Sequence, residues 1–98
     1  MTSTTPEGMV KQHIKKILKD AGAYFCMPVS NGMGRHGVPD FLVCYRGKFI
    51  GIEAKAGRGT TTALQDRELA EIVQAGGVSL IINENDLDYL KGIFNEGA

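Results

Sequence analysis

GVPDFLVCYRGKFIGIEAK, residues 37–55, decides how this chain folds. Two strand-like runs, Pro39–Tyr45 and Lys48–Lys55, flank Arg46-Gly47, a dipeptide suited to a two-residue hairpin turn because Gly47 accepts positive φ. With that turn, Tyr45 pairs with Lys48. Counting outward then sets Asp40 opposite Glu53, with Cβ atoms roughly 4.5–5.5 Å apart. Side chains alternate along a strand, so Glu53 and Lys55 share one face and Ala54 takes the other.

The rest of the chain supplies the layers around this hairpin. Thr5-Pro6 reads as a helix start, with Thr5 at the N-cap and Pro6 in the first turn; the polar residues 1–5 before it are expected to fray. Val10, Ile14, Ile17, Leu18 and Ala21 have helical spacing and Gly22 is a stop, giving a helix over about residues 6–21. Lys11, Lys15, Lys16 and Lys19 fall on its more exposed side. Ala23–Met27 is a short strand, and the glycine-rich segment Ser30–Gly37 is a loop. After a second loop, Ala56–Thr62, Thr62 and Gln65 have capping-box spacing for a second helix, with Leu69, Ile72 and Val73 as its apolar face and Gly76-Gly77 at its end. Val78–Ile82 is a strand. A last helix begins at Asn85 or Asp86 and turns Leu87, Leu90 and Phe94 inward.

The order α-β-β-β-α-β-α implies an α/β fold, a mixed sheet with helices on both faces. The second helix serves as a crossover that allows the last two strands to be parallel. With 98 residues the chain makes a single domain, residues 1–98. Its 11 basic and 11 acidic side chains cancel, which argues against a nucleic-acid coat protein but not against an enzyme with a local basic patch. No apolar run reaches the ~20 residues of a membrane span and no secretory signal precedes the first helix, so a cytoplasmic location is expected. Cys26 and Cys44 lie in apolar strand segments and read as small buried hydrophobes in a reducing compartment.

Two facing carboxylates repel each other, and a divalent cation such as Mg²⁺, held by one or two carboxylates, waters and phosphate oxygens, resolves the conflict. Lys55 beside the pair can stabilise charge on a phosphate or orient an attacking water. Glu7 falls on the apolar face of the first helix. Alone it is explained by the helix macrodipole; beside Asp40 and Glu53 it reads as a metal-site or water-relay residue. Gln65 has two competing roles, the capping box with Thr62 or the orientation of Lys55 or a phosphate. Arg35, Arg58, Lys11 and Lys48 are possible phosphate contacts. The loop Gly57–Thr62, including Arg58 and Thr60, is the better candidate because it precedes a helix N-terminus. His36 and His13 read as solvated.

Gly37-Val38-Pro39-Asp40 followed by Glu53-Ala54-Lys55 resembles the PD-(D/E)xK nuclease motif. With Glu7 and Gln65 added, the chain resembles the VRR-NUC family, the virus-type replication and repair nucleases, over Glu7 to about Ile82. It is similar, more distantly, to archaeal Holliday junction resolvases. The resemblance implies a restriction-endonuclease-like αβββαβ core plus a C-terminal helix. It implies a metal held by Asp40, Glu53 and the Ala54 carbonyl, with Glu7 joining directly or through water, Lys55 as catalytic lysine and Gln65 in support of Lys55. The function so implied is Mg²⁺-dependent endonucleolytic cleavage of DNA, with Mn²⁺ able to substitute, leaving 5′-phosphate and 3′-hydroxyl ends. A homodimer acting on branched DNA such as a four-way junction is expected, in a phage or bacterial-host cytoplasm. The last helix, with Tyr89, Ile93 and Phe94, or the first helix, is a candidate interface. The alternative is a non-catalytic nucleic-acid-binding or assembly module on a nuclease scaffold.

Overall fold

The computed structural model describes residues 5–29 and 34–95. Helix α1, Pro6–Ala21, starts where Thr5 Oγ1 accepts the Gly8 N–H at 3.0 Å. It ends at Gly22, left-handed at φ 74°, whose N–H closes onto the Leu18 and Lys19 carbonyls. Thr5 is thus an ordered cap rather than part of a frayed end; residues 1–4 lie outside the described residues, as do 30–33 of the glycine-rich loop. Strands β1 (Tyr24–Cys26), β2 (Phe41–Tyr45), β3 (Lys48–Ala54) and β4 (Val78–Ile82) form one sheet in the order β1-β2-β3-β4. Helix α2, Ala63–Gln74, crosses from β3 to a parallel β4, and α3, Leu87–Phe94, closes the chain. The mixed α/β sheet with helices on both faces follows the expected order. β1, β2 and β3 are one or two residues shorter than the apolar runs, because the end residues leave the ladder, while β4 spans its run in full.

The hairpin register is the one the turn dictates. Arg46 and Gly47 both have positive φ, 51° and 82°, as a type I′ turn demands. Tyr45 pairs with Lys48, and the ladder runs to Phe41↔Ile52. The pleat then sorts the side chains. Phe41, Val43, Ile50, Ile52 and Ala54 join Val10, Ile14, Ile17, Leu18, Leu90 and Phe94 in a continuous core under α1 and α3. Tyr45 Oη donates to the Phe94 carbonyl at 3.2 Å, and the two rings meet tilted with centroids 5.0 Å apart, tying the last helix down.

The opposite face is only partly covered. Helix α2 packs on β3 and β4, and Gly51 lets it approach, since a Cβ there would lie 2.6 Å from Ile72 Cδ1. The β1–β2 end of this face is open to solvent. Tyr24 is 80% exposed there, and both cysteines are exposed too, contrary to their reading as buried hydrophobes. They lie on the pleat that α2 would have to cover, and α2 does not extend that far. Val73, expected on the apolar face of α2, is likewise exposed. Among the described residues no helix is long and apolar enough to cross a membrane.

Candidate active site

Four element ends meet around β3's C-terminus: the starts of β2, α1 and α2, and the end of β3 itself. One step beyond Phe41↔Ile52, Asp40 comes opposite Glu53. Asp40 Oδ2 accepts the Ala54 N–H at 2.8 Å, so the carboxylate replaces the backbone partner that β2 no longer provides. Glu53 is buried, at 2% exposure, and its Oε1 is a buried side-chain polar atom with no hydrogen-bond partner. Its Oε2 is contacted from two sides: Gln65 Nε2 donates at 3.0 Å and Lys55 Nζ lies 3.6 Å away.

Burial is the largest reason that the Glu53 carboxyl is pushed up to about 7, with the charge of Asp40 next and the ammonium of Lys55 opposing both. A carboxylate that is buried, faces another carboxylate and keeps one oxygen bare fits a divalent cation. Magnesium typically takes one or two carboxylates and completes its shell with waters and phosphate oxygens. Asp40 and Glu53, with the Ala54 carbonyl, are the groups that could hold such a cation. Among the described residues no group of three His, Cys, Asp or Glu side chains is placed to hold a metal ion. Glu7 therefore does not join Asp40 and Glu53 as a third direct donor in this arrangement.

Glu7 is instead linked to the site through Lys11. The Lys11 ammonium lies 3.8 Å from Glu7 Oε2 and 3.3 Å from Asp40 Oδ1. One helical turn separates Glu7 and Lys11, so a single helix face delivers both. Sequence reasoning placed Lys11 with the exposed lysines; its i+4 spacing from Glu7 was the available signal.

Gln65 fills the capping role and also reaches into the site, though not to Lys55 as expected. Its Oε1 accepts the Thr62 N–H at 3.0 Å, and Thr62 Oγ1 accepts the Gln65 N–H at 3.2 Å. Its Nε2 meanwhile holds Glu53. The two ends of one amide serve the two purposes, and the partner is Glu53 rather than Lys55.

Comparison with solved structures gives a likeness that spans this whole arrangement. A protein described as a VRR_NUC domain superposes with a TM-score of 0.71 and 25% identity, covering 89% of this chain and 95% of that one. The chain has a VRR-NUC fold. No protein-family profile and no curated protein matches it. A VRR-NUC domain is nuclease-like in architecture, and here the Asp40, Glu53 and Lys55 side chains meet at one end of its sheet.

The three suggested DNA contacts lie outside that cluster. Arg58 and Thr60 are exposed in the loop before α2. The loop's Gly57 N–H is already taken by Glu84, at 3.1 Å to each carboxylate oxygen. Its own backbone N–H first, and the Gly57 N–H second, hold the Glu84 carboxyl below its ordinary range. Arg35 is committed to two carboxylates on α2: its Nε and Nη2 reach Glu68 at 3.1 and 2.8 Å, and Nη2 reaches Glu71 at 2.7 Å. Glu68, buried on a helix, escaped sequence reasoning because its spacing alone looks like a solvated charge. His36 and His13 are exposed.

Proposed function

We propose that this chain is a metal-dependent endonuclease that hydrolyses phosphodiester bonds in DNA. The observation that carries the reading is the Asp40–Glu53 pair, joined by Lys55, with a buried Glu53 oxygen that has no protein partner. A bound divalent cation, Mg²⁺ or Mn²⁺, supplies Lewis-acid activation of water and neutralises charge on the phosphate. Asp40, Glu53 and the Ala54 carbonyl would hold it, with Glu7 contributing through water.

The chain's own groups do the rest. Gln65 holds the Glu53 carboxylate by its Oε2 and leaves Oε1 without a hydrogen-bond partner. Lys55, largely buried at 12% side-chain exposure, presents its ammonium to the phosphate's non-bridging oxygens or to the attacking water, where it stabilises the extra negative charge of the transition state. Water adds to phosphorus, the bond to O3′ breaks and O3′ takes up a proton, leaving 5′-phosphate and 3′-hydroxyl ends. Lys11 places a second cation beside Asp40, and Arg58 and Thr60 are exposed on the loop before α2.

The working unit is a two-fold dimer, which brings two sites to the two equivalent strands of a four-way junction. The neutral chain gives a single copy only a modest grip on a polyanion. On α3, Tyr89 is 62% exposed and available to such an interface, whereas Phe94 is 3% exposed and belongs to the core. The test is a cleavage assay with and without Mg²⁺ on four-way, flapped and linear DNA, alongside sedimentation at micromolar concentration. Metal-dependent cleavage that is strongest on the four-way junction, by a species of twice the monomer mass, supports the proposal. Absence of cleavage on every substrate favours the non-catalytic scaffold. A monomer that prefers flaps or linear duplex keeps the nuclease and removes the junction.

A further inference from the structure

We infer that the Arg35–Glu68 ion pair is a positioning clip that sets Asp40 in the metal-binding pair, and that Arg35 is not a DNA contact. This rests on the nuclease reading above and names the device that fixes its geometry. The guanidinium binds Glu68 through two nitrogens, Nε at 3.1 Å from Oε1 and Nη2 at 2.8 Å from Oε2, and shares Nη2 with Glu71. Glu68 is 8% exposed in its side chain. Its other cationic neighbour, Arg67 Nη2, is at 3.9 Å, too far for a hydrogen bond. A carboxylate that far out of water needs its partner, so moving Arg35 onto a phosphate would strand it.

The clip acts along a short, stiff path. Two residues after Arg35, Gly37 sits at φ 82° against the first turn of α2. A Cβ there would be 2.7 Å from the Leu64 carbonyl carbon and oxygen and 3.0 Å from the Gln65 nitrogen. Two residues further, Pro39 is fully buried, with its Cγ 3.1 Å from where Gly51 would carry a Cβ. Asp40 follows. The segment is thus pinned at Glu68, at Leu64–Gln65 and at Gly51, and it delivers Asp40 to the Ala54 N–H. Glu68 is one helical turn from Gln65, which holds Glu53. One helix therefore places both carboxylates, Glu53 through Gln65 and Asp40 through Glu68 and Arg35.

A double-mutant cycle tests the clip: Arg35→Ala, Glu68→Gln and the two together, each read by cleavage kinetics and by amide exchange. The Ala54 N–H reports Asp40 directly because it bonds to that carboxylate, and the adjacent Lys55 N–H, bonded to the Ile82 carbonyl at 2.9 Å, is the internal reference. Either single change is expected to lower kcat by about tenfold to a hundredfold, the scale of a misplaced catalytic group. KM should stay within about threefold, and the double variant should be no worse than either single one. Exchange at Ala54 should quicken relative to Lys55 in all three. The clip is overturned if Arg35→Ala raises KM and flattens the salt dependence while Glu68→Gln cleaves as well as wild type, since Arg35 then grips phosphate. It is equally overturned if Ala54 exchange is unchanged in both single variants. If the wild-type protein cleaves no DNA, the nuclease reading fails, and the exchange measurement still decides the clip.

Discussion

The two ends of the β2–β3 hairpin behave in opposite ways. At the turn, Arg46 and Gly47 take the positive φ values the geometry requires, and the Arg46 guanidinium sits 5.3 Å from the centre of the Tyr45 ring, so that end is locally satisfied. At the open end the same register pushes Asp40 against Glu53, a pairing no isolated hairpin would choose. Cooperative pairing makes this possible: the turn sets the register, the core residues between hold it, and the cost falls on the last rung. The difference teaches that a strained functional pair here is built at a distance, by a turn well away from it.

The largest effect should come from Lys55→Ala. It removes the only ammonium in contact with Glu53 among the described residues, and cleavage should fall by about a thousandfold or more while the fold is kept. Turnover within tenfold of wild type would remove Lys55 from the chemistry. Asp40→Asn and Glu53→Gln come next. Each should cut cleavage by about a hundredfold or more and weaken Mg²⁺ binding by calorimetry; unchanged affinity in both would contradict a shared site. Glu7→Gln should lower activity by about tenfold, the usual size of an outer-sphere effect, with little loss of stability. If it only melts earlier and cleaves normally, the macrodipole explains Glu7.

At the satisfied end the expected change is in stability alone. Gly47 has open space around its Cα, so Gly47→Val tests the positive φ and nothing else. It should cost about 1–2 kcal/mol in chemical denaturation and leave cleavage per folded molecule unchanged. A large loss of specific activity would show that the turn does more than set register.

The sequence made the hairpin legible because a two-residue turn admits one register, and register names the residues that face each other. It made the helix ends legible through Thr5, Gly22 and Thr62, whose side chains or missing side chain satisfy specific backbone groups. Coverage was not legible. Alternation told which side of the strand Cys44 takes, but not that α2 stops short of it. The dual use of Gln65 was hidden because spacing assigns a side chain to a face and says nothing of the two ends of its amide. Arg35 looked like a free loop cation because its partners are 33 and 36 residues away, beyond any local pattern.

The carboxylate pair can be probed most directly by melting wild type and Glu53→Gln at pH 8, with and without Mg²⁺. The Glu53 carboxyl is raised to about 7 in the folded protein. Below the ordinary carboxylate range it is protonated whether folded or not. As pH climbs from that range through 7, the folded state must give up a proton it favours, and metal-free stability falls. At pH 8 the charge is largely present, and the Lys55 ammonium offsets only part of it. Metal-free Glu53→Gln should therefore melt higher than wild type, and the gap should close toward pH 5. Added Mg²⁺ should raise the wild-type melting point and leave the variant nearly unmoved. A variant that melts below wild type at pH 8, with both proteins equally stabilised by Mg²⁺, would contradict a metal centre built on Asp40 and Glu53.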